Sequence, residues 1–251
     1  MFTRIKTVAE LDAMRESGRM LASVLRLLQV NVAVGMSTKD LAAMAAEEVK
    51  KLGGEAPFLG YQGFPDVLCV SVNDEVVHGI PRKDKIIREG DIVSLDFGVR
   101  YRGMITDSAV SVIVGKPLSP RYPALLKHAE ASLSAGIAVV HDGVRTGDIG
   151  EAIETELKRH KYGIVRDLVG HGVGHELHEE PNIPNYGRAD TGARLAKNMT
   201  IAIEPMVTLG GDHVYMAEDG WTVKTADGSW AAHFEHTVAI TEHGAEIMTK
   251  I

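Results

Sequence analysis

The sequence predicts an α/β (α+β) fold in which two pseudo-symmetric halves, each running helix-helix-strand, surround a central antiparallel sheet. An internal repeat and a pair of alternating strands predict it. At an offset of 108 residues, GMSTKDL at 35–41 aligns with GVRTGDI at 143–149. We therefore expect one domain over 1–251, with repeats of roughly 7–115 and 120–245.

The repeat also places an acidic residue at matching strand positions of the two halves. At the offset of 108, Asp96 aligns with Glu204. At an offset of 128, Asp107 aligns with Glu235. A two-fold arrangement would bring these four acids together at the centre of the molecule.

Residues 91–114, DIVSLDFGVRYRGMITDSAVSVIV, are typical of a hairpin that carries the first two acids. Its apolar residues alternate with small or acidic ones, which is the pattern of half-buried strands. A hairpin symmetric about a turn near 101–102 sets Asp96 opposite Asp107, with Cβ atoms about 5 Å apart. A one-residue bulge at Gly103 would instead send the two acids to opposite faces, and the hairpin alone does not decide between these alternatives.

Two carboxylates so close repel by about 3 kcal/mol at an effective dielectric near 20, so either one is protonated or a cation lies between them. Four together carry a charge that two divalent cations would cancel. A fifth donor is available from HGVGHELH, which holds His171, His175 and His178. One imidazole with four carboxylates suits two carboxylate-bridged metals, which hold a bridging hydroxide and polarise a carbonyl.

Taken singly, each acid also fits a solvated strand-end charge, and each histidine fits a structural role. We assign that role to the histidines outside these motifs: His128, His141, His160, His213 and His243. Neither a GxxxxGK[ST] phosphate loop nor a GxSxG elbow occurs in the sequence. GHGVGHELH does not follow a strand and open a long helix, as a dinucleotide fingerprint must.

Hydrophobic periodicity predicts four helices and three longer strands. We expect helices over 7–30, 38–52, 121–141 and roughly 148–162, strands over 67–72, 199–207 and 231–241, and irregular segments over 163–190 and 208–230. Ser37 and Asp40 predict a capping box for the second helix, and Thr146 or Asp148 predicts the cap of the fourth.

Composition narrows the function classes. The formal net charge of −7 is opposite to the basic footprint of nucleic-acid binders. The single cysteine, Cys69, excludes an intramolecular disulfide and fits a reducing compartment. The N-terminal stretch lacks the apolar core of a secretory signal, and no uncharged apolar run reaches the roughly 18 residues of a membrane helix. We expect a cytoplasmic monomer with no nucleic-acid-binding module and no membrane association.

The motifs above lie in longer stretches: LGYQGFP, CVSVNDEVVHGIP, SLDFGVRYRGMITDSA, GHGVGHELHEEPNIPNYG, IAIEPMV and DGWTVKTADGSWAAHFEHT. Through them the chain resembles the type I methionine aminopeptidases of the bacterial kind over nearly its whole length. The resemblance implies a pita-bread (creatinase/aminopeptidase) fold and a single catalytic domain. It implies an enzyme that removes the initiator methionine from nascent proteins and peptides, preferentially before a small second residue, by attack of a metal-bridging hydroxide.

The resemblance also implies a role for each candidate site residue. The metal ligands would be Asp96, Asp107, His171, Glu204 and Glu235. Asp107 and Glu235 would bridge two divalent ions, and Glu204 would also shuttle protons. His178 would hydrogen-bond the scissile carbonyl, and His78 would contact the substrate backbone and leaving nitrogen. Mn, Fe, Co and Zn all tolerate this ligand set. Transient ribosome association is implied as well.

A deep, narrow apolar pocket for the methionine side chain is a further implication. Its walls would be Tyr61, Phe64, Cys69, Leu177 and Trp221, with Phe58 at the edge. Three residues depart from the common family pattern: Phe58 stands where a smaller residue is frequent, Leu177 where an aromatic is, and Gln62 where histidine is. We expect these departures to alter pocket shape more than the reaction. The alternative for each wall residue is plain core packing.

Two other functions compete on this scaffold. One is a dipeptidase or Xaa-Pro peptidase, which Tyr61, Cys69, Trp221 and the short chain before the catalytic half disfavour. The other is a non-catalytic binding protein, which the presence of all five ligands disfavours. About 24 residues separate Glu180 from Glu204, too few for the helical insertion of type II enzymes, and we expect no Cys/His-rich zinc-finger extension.

Overall fold

The computed structural model describes residues 3–250, which form four α-helices, one short 3-10 helix (Tyr61–Gly63) and fourteen strands. The helices are α1 Val8–Asn31, α2 Thr38–Leu52, α3 Arg121–Ala138 and α4 Thr146–Lys158. The first strands are β1 Cys69–Val72, β2 Glu75–Val77, β3 Ile92–Tyr101, β4 Met104–Ile113, β5 Gly163–Ile164, β6 Gly170–Gly172 and β7 Glu179–Ile183. The later strands are β8 Thr200–Ile203, β9 Met206–Thr208, β10 Val214–Met216, β11 Val223–Thr225, β12 Ala231–His233, β13 His236–Ile240 and β14 Ala245–Ile247.

The strands form four antiparallel sheets, ordered β1-β3-β4, β10-β11-β2, β12-β9-β5 and β14-β13-β8-β6-β7. The predicted repeat has a direct counterpart in the packing. Val93 and Leu95 of β3 lie in the core cluster under α1 and α2. Their repeat partners Ile201 and Ile203 of β8 lie in the cluster under α3 and α4. None of the helices in residues 3–250 is both long and apolar enough to cross a bilayer.

The capping box predicted for α2 is confirmed, whereas the N-cap predicted for α4 is wrong. Ser37 and Asp40 form the capping box of α2. The N-cap of α4 is Arg145, not Thr146 or Asp148; Asp148 instead accepts a hydrogen bond from the Arg145 amide at 2.8 Å. The helices α3 and α4 end three and four residues earlier than predicted, and the chain then turns at Gly143 (φ 92°) and Lys161 (φ 60°), respectively.

Both long strands predicted for the second half are broken where their acids lie. The break between β8 and β9 holds Glu204 and Pro205, and proline has no N–H to continue a ladder. The break between β12 and β13 holds Phe234 and Glu235. The segments predicted to be irregular contain β5–β7 and β10–β11, which are two to five residues long and too short for a periodic signal.

The β3–β4 hairpin differs from its predicted register by two residues. Asp96 pairs with Ala109, and Gly98 pairs with Asp107. The loop is the two-residue turn Arg102–Gly103, in which both residues have the positive φ of a type I′ turn. Asp96 and Asp107 are therefore diagonal neighbours rather than directly opposite, but they stay on one face because the side-chain period is two. No bulge occurs at Gly103.

Backbone hydrogen bonds across the centre join the two halves. Ala109 of β4 donates to the carbonyl of Glu235 at 3.4 Å, and Glu235 donates to the carbonyl of Ala109 at 2.9 Å. Thr237 Oγ1 accepts from the Asp107 amide at 2.9 Å and donates to the Asp107 carbonyl at 2.8 Å. These contacts fix the acid of β4 beside the acid in the β12–β13 break.

The segment before α1, which contains Thr3 and Lys6, packs against the Gly-rich loop that precedes β7. Lys6 is fully buried, and its Nζ donates to Glu179 at 3.0 Å and to Thr3 Oγ1 at 2.7 Å. The other Glu179 oxygen accepts from the amides of His175 and Glu176. A buried ion pair thus orders the loop that carries Leu177 and His178.

We predict that Lys6→Met lowers the free energy of unfolding by about 3–5 kcal/mol, because it leaves the Glu179 carboxylate buried without its cation. Urea unfolding measures this change. The matched control is Lys197→Met, which removes a lysine from the exposed Lys197–Glu242 pair and should cost no more than about 1 kcal/mol. Equal, small losses in the two variants would contradict the structural role of the buried pair.

Candidate active site

A cavity of about 270 Å³ opens where the two halves meet. It is lined by Phe58, Tyr61, Gln62, Phe64, Cys69, His78, Asp96, Asp107, His171, Leu177, His178, Glu204, Trp221 and Glu235. Every residue to which the resemblance gave a ligand, catalytic or pocket-wall role is in this set. The cavity therefore joins the acidic centre to an apolar recess.

The acids reach the cavity from four separate strands or breaks; Asp96, Asp107 and Glu235 are buried there, and Glu204 is partly buried. Asp96 lies in the middle of β3 beside Cys69 of β1. Asp107 and Glu235 are held together by the backbone bonds across the centre. Within residues 3–250, Asp96 Oδ1, Asp107 Oδ1 and Glu235 Oε1 are buried without a hydrogen-bond partner. Buried carboxylate oxygens need a partner, so this arrangement calls for cations.

The pKa values of the acids also reflect their burial without hydrogen-bond partners. Burial raises the pKa of Asp96 to about 7. Burial, followed by the charges of Asp96 and Glu204, raises the pKa of Asp107 well above its usual range. Burial and the Asp107 charge do the same to the pKa of Glu235. Without a cation, the group cannot be fully ionised at neutral pH.

Glu204 behaves differently from the other three acids. Burial acts to raise its pKa, but the nearby imidazole of His233 and the charge of His171 outweigh it, so the pKa is lowered. Its main-chain carbonyl accepts a hydrogen bond from Asn185 Nδ2 at 3.0 Å. Glu204 is therefore the acid that stays ionised most readily in this cluster.

His171 supplies the nitrogen donor that the acidic cluster needs. It lies in β6, and its Nδ1 is 2.9 Å from the carbonyl of Gly172. That bond leaves Nε2 free, 3.4 Å from Glu204 Oε1. Donor atoms of Asp107, His171 and Glu235 all lie within 4.8 Å of one another, close enough to hold one metal ion.

Two further histidines face the cavity without joining this donor group. His178 Nδ1 is 2.9 Å from the Tyr61 hydroxyl, and burial together with the nearby His171 lowers the pKa of His178 to about 3. The ring is neutral at neutral pH, and a hydroxyl that donates to Nδ1 leaves an N–H at Nε2. Burial also lowers the pKa of His78. Its backbone is in the left-handed region (φ 59°), a strained conformation for this residue type.

The apolar end of the cavity is a packed cluster. Phe64 and Trp221 meet edge to face, with ring centroids 5.2 Å apart. Phe58, Cys69 and Leu177 are buried in the same cluster. Burial and the Asp96 charge raise the pKa of the Cys69 thiol, so it is a wall rather than a nucleophile. A Cβ at Gly98 would lie 2.8 Å from the Phe58 ring, so the missing side chain makes room for this phenylalanine.

One site residue escaped the sequence analysis. His233, at the end of β12, is buried with Nε2 3.4 Å from Glu204 Oε2. The available signal was its spacing, since it stands two residues before Glu235 in the stretch AAHFEHT. Of the remaining candidates in HGVGHELH, His175 lies outside the cavity and contacts Glu10 Oε1 at 2.8 Å.

A family model, curated relatives and solved structures all match this chain over almost its whole length. The model of metallopeptidase family M24 matches residues 12–242. "Methionine aminopeptidase 1" of Bacillus subtilis is 44% identical over 246 residues, covering 98% of each chain. The crystal structure of a methionine aminopeptidase from Thermotoga maritima superposes with a TM-score of 0.97 at 46% identity and covers 100% of both chains.

A prolidase from Pyrococcus furiosus shares the fold alone. It is 23% identical, with a TM-score of 0.79, and the match covers 98% of this chain and 65% of the prolidase. The shared architecture is the pita-bread fold that the sequence predicted. Because the family model and the close relatives cover almost the whole length, the chain belongs to metallopeptidase family M24, among its methionine aminopeptidases.

Proposed function

We propose that this chain removes the N-terminal methionine from nascent proteins and peptides, preferentially before a small second residue. The proposed ligands of two divalent ions are Asp96, Asp107, His171, Glu204 and Glu235. One observation carries the proposal. A largely buried cluster of four carboxylates and an imidazole adjoins an apolar recess in a single cavity.

The donor set fits the metals that the family implies. Within residues 3–250, three buried carboxylate oxygens lack hydrogen-bond partners, and the pKa values of Asp96, Asp107 and Glu235 are raised because burial without a cation opposes ionisation. Oxygen donors with one imidazole suit Mn, Fe, Co and Zn. Bound there, two divalent ions would supply a hydroxide at neutral pH and polarise the scissile carbonyl.

The protein's own residues would orient the substrate and move its protons. The methionine side chain would enter the recess between Phe64, Leu177 and Trp221, which sets the register at the first residue. Its carbonyl oxygen would then face the cavity side of His178, whose neutral ring can donate from Nε2 as negative charge develops. This donor works at neutral pH without titrating, because the His178 pKa is about 3.

Proton transfer is assigned to Glu204 and leaving-group contact to His78. The lowered pKa keeps Glu204 ionised at neutral pH, so a carboxylate oxygen is available to take up a proton from the attacking water and pass it to the leaving nitrogen. The strained backbone of His78 holds its ring at the cavity wall, where it would contact the substrate backbone.

The alternative peptidase activity and a purely binding role fit less well. The prolidase shares the fold at 23% identity, whereas the methionine aminopeptidases of Bacillus subtilis and Thermotoga maritima are 44% and 46% identical along nearly the whole chain. A binding protein would not need all five donors, and each lines the cavity. We also propose a cytoplasmic monomer that associates transiently with the ribosome; the lone, buried Cys69 supports a reducing compartment.

Incubation of the metal-loaded protein with Met-Ala-Ser, Met-Leu-Ser and an Ala-Pro peptide tests the activity. We expect methionine release from Met-Ala-Ser, slower release from Met-Leu-Ser, no cleavage of Ala-Pro, and loss of all activity in chelator. Amino-acid analysis of the released residue gives the readout. Cleavage of Ala-Pro in preference to Met-Ala-Ser would favour the Xaa-Pro activity, and no methionine release with Mn, Fe, Co or Zn would reject the proposal.

The metal-free protein should become more stable when Asp107 is changed to asparagine, and only at higher pH. Because the Asp107 pKa is raised in the native state, the native protein keeps a proton that the unfolded chain has lost above the ordinary carboxyl range. The unfolding free energy attributable to this group therefore falls as pH rises through that window. Between about pH 5 and about pH 8 the Tm advantage of Asp107→Asn should grow by at least ~2–4 °C.

Excess Mn²⁺ at the higher pH supplies the control. It should stabilise the wild type more than the variant, because the variant has lost a proposed bridging ligand, and the variant should release no methionine. A Tm difference that does not change with pH, together with equal stabilisation by Mn²⁺, would refute the bridging role.

A further inference from the structure

His233 is a buried polar side chain for which the proposed reaction has no assigned use. Only 2% of it is exposed, and within residues 3–250 neither ring nitrogen has a hydrogen-bond partner. Its Nε2 lies 3.4 Å from Glu204 Oε2, just beyond hydrogen-bond length. A buried imidazole without a partner is destabilising, and the nearby carboxylate oxygen is the acceptor that the ring can reach.

The two oxygens of Glu204 face different histidines. Oε1 is 3.4 Å from His171 Nε2, and His171 lines the cavity. Oε2 faces His233, which does not line the cavity and so lies behind the carboxylate. This division leaves one oxygen for the cavity and one for the protein interior.

The backbone of His233 is fixed by the β3–β4 hairpin. Ser111 Oγ accepts from the His233 amide at 2.9 Å and donates to the His233 carbonyl at 2.9 Å. Ser94 Oγ is 2.7 Å from Ser111 Oγ. Within its own sheet, His233 of β12 pairs with Met206 of β9, which lies two residues after Glu204. The imidazole is therefore held at a defined position relative to the carboxylate.

We propose that His233 is a positioning residue for Glu204. Its Nε2–H donates to Oε2, which fixes the carboxylate plane and keeps Oε1 directed into the cavity beside His171. The catalytic consequence rests on the proposed function of Glu204. The consequence for metal binding does not rest on turnover.

Substitutions at residue 233 separate this role from simple packing. His233→Leu keeps a side chain of moderate size but removes the hydrogen-bond donor. We expect kcat for Met-Ala-Ser to fall about 10–100-fold with KM little changed. His233→Gln places an amide N–H near the position of Nε2 and should restore most of kcat. His233→Asn places its amide near the position of Nδ1, too short to reach Glu204, and should behave like leucine.

Mn²⁺ titration by calorimetry gives a readout that is independent of activity. His233→Leu should lower the affinity for the Mn²⁺ ion that Glu204 binds by about 10–100-fold, and His233→Gln should leave that affinity unchanged. His128→Leu is the matched control, since His128 pairs with Tyr162 outside the cavity and should leave both kcat and Mn²⁺ affinity unchanged.

Wild-type kcat and Mn²⁺ affinity in a folded His233→Leu variant would overturn the positioning role. If the leucine variant does not fold, equal values for the glutamine and asparagine variants would overturn it instead. If the wild type releases no methionine, the proposed function fails, while the Mn²⁺ affinities still decide the role of His233.

Discussion

Four carboxylates, three buried and one partly buried, repel one another at the centre of this molecule, and the fold is arranged around that repulsion. Asp96, Asp107, Glu204 and Glu235 converge on one cavity, and three of them have raised pKa values because burial and neighbouring charges oppose their ionisation. Such a cluster is stable at neutral pH only with protons or cations between its members. The surrounding histidines, small side chains and strand breaks position the four carboxylates around the cavity.

The fold meets this constraint by joining its halves at the acids themselves. The backbone bonds between Ala109 and Glu235 link β4 to the break between β12 and β13. Thr237 adds two more bonds to the main chain of Asp107. Each half is covered by its own helix pair, so the cavity lies between two hydrophobic cores.

Much of the fold and site followed from sequence, for reasons visible in particular residues. The hairpin register was wrong by two, yet Asp96 and Asp107 still share a face, because an even shift preserves side-chain parity. The repeat located Glu204 and Glu235 but not their strand breaks, since the break at Glu235 depends on contacts with β4. Roles for individual residues came from the resemblance, and they remain predictions.

Residues whose role depends on distant contacts were not predicted. His233 acquires its partner only when β12 and β9 pair, and nothing in the repeat marks it. Lys6 reads as one surface lysine among many until its segment meets Glu179, far along the chain. Local periodicity carries no information about such pairs.

The anomalous difference map of a crystal loaded with Mn²⁺ is the most direct test of the central claim. We predict two peaks inside the cavity, both touching Asp107 and Glu235, with Asp96 on one ion and His171 and Glu204 on the other. An active crystal with peaks only outside this cavity, or with Asp107 and Glu235 unligated, would contradict the account.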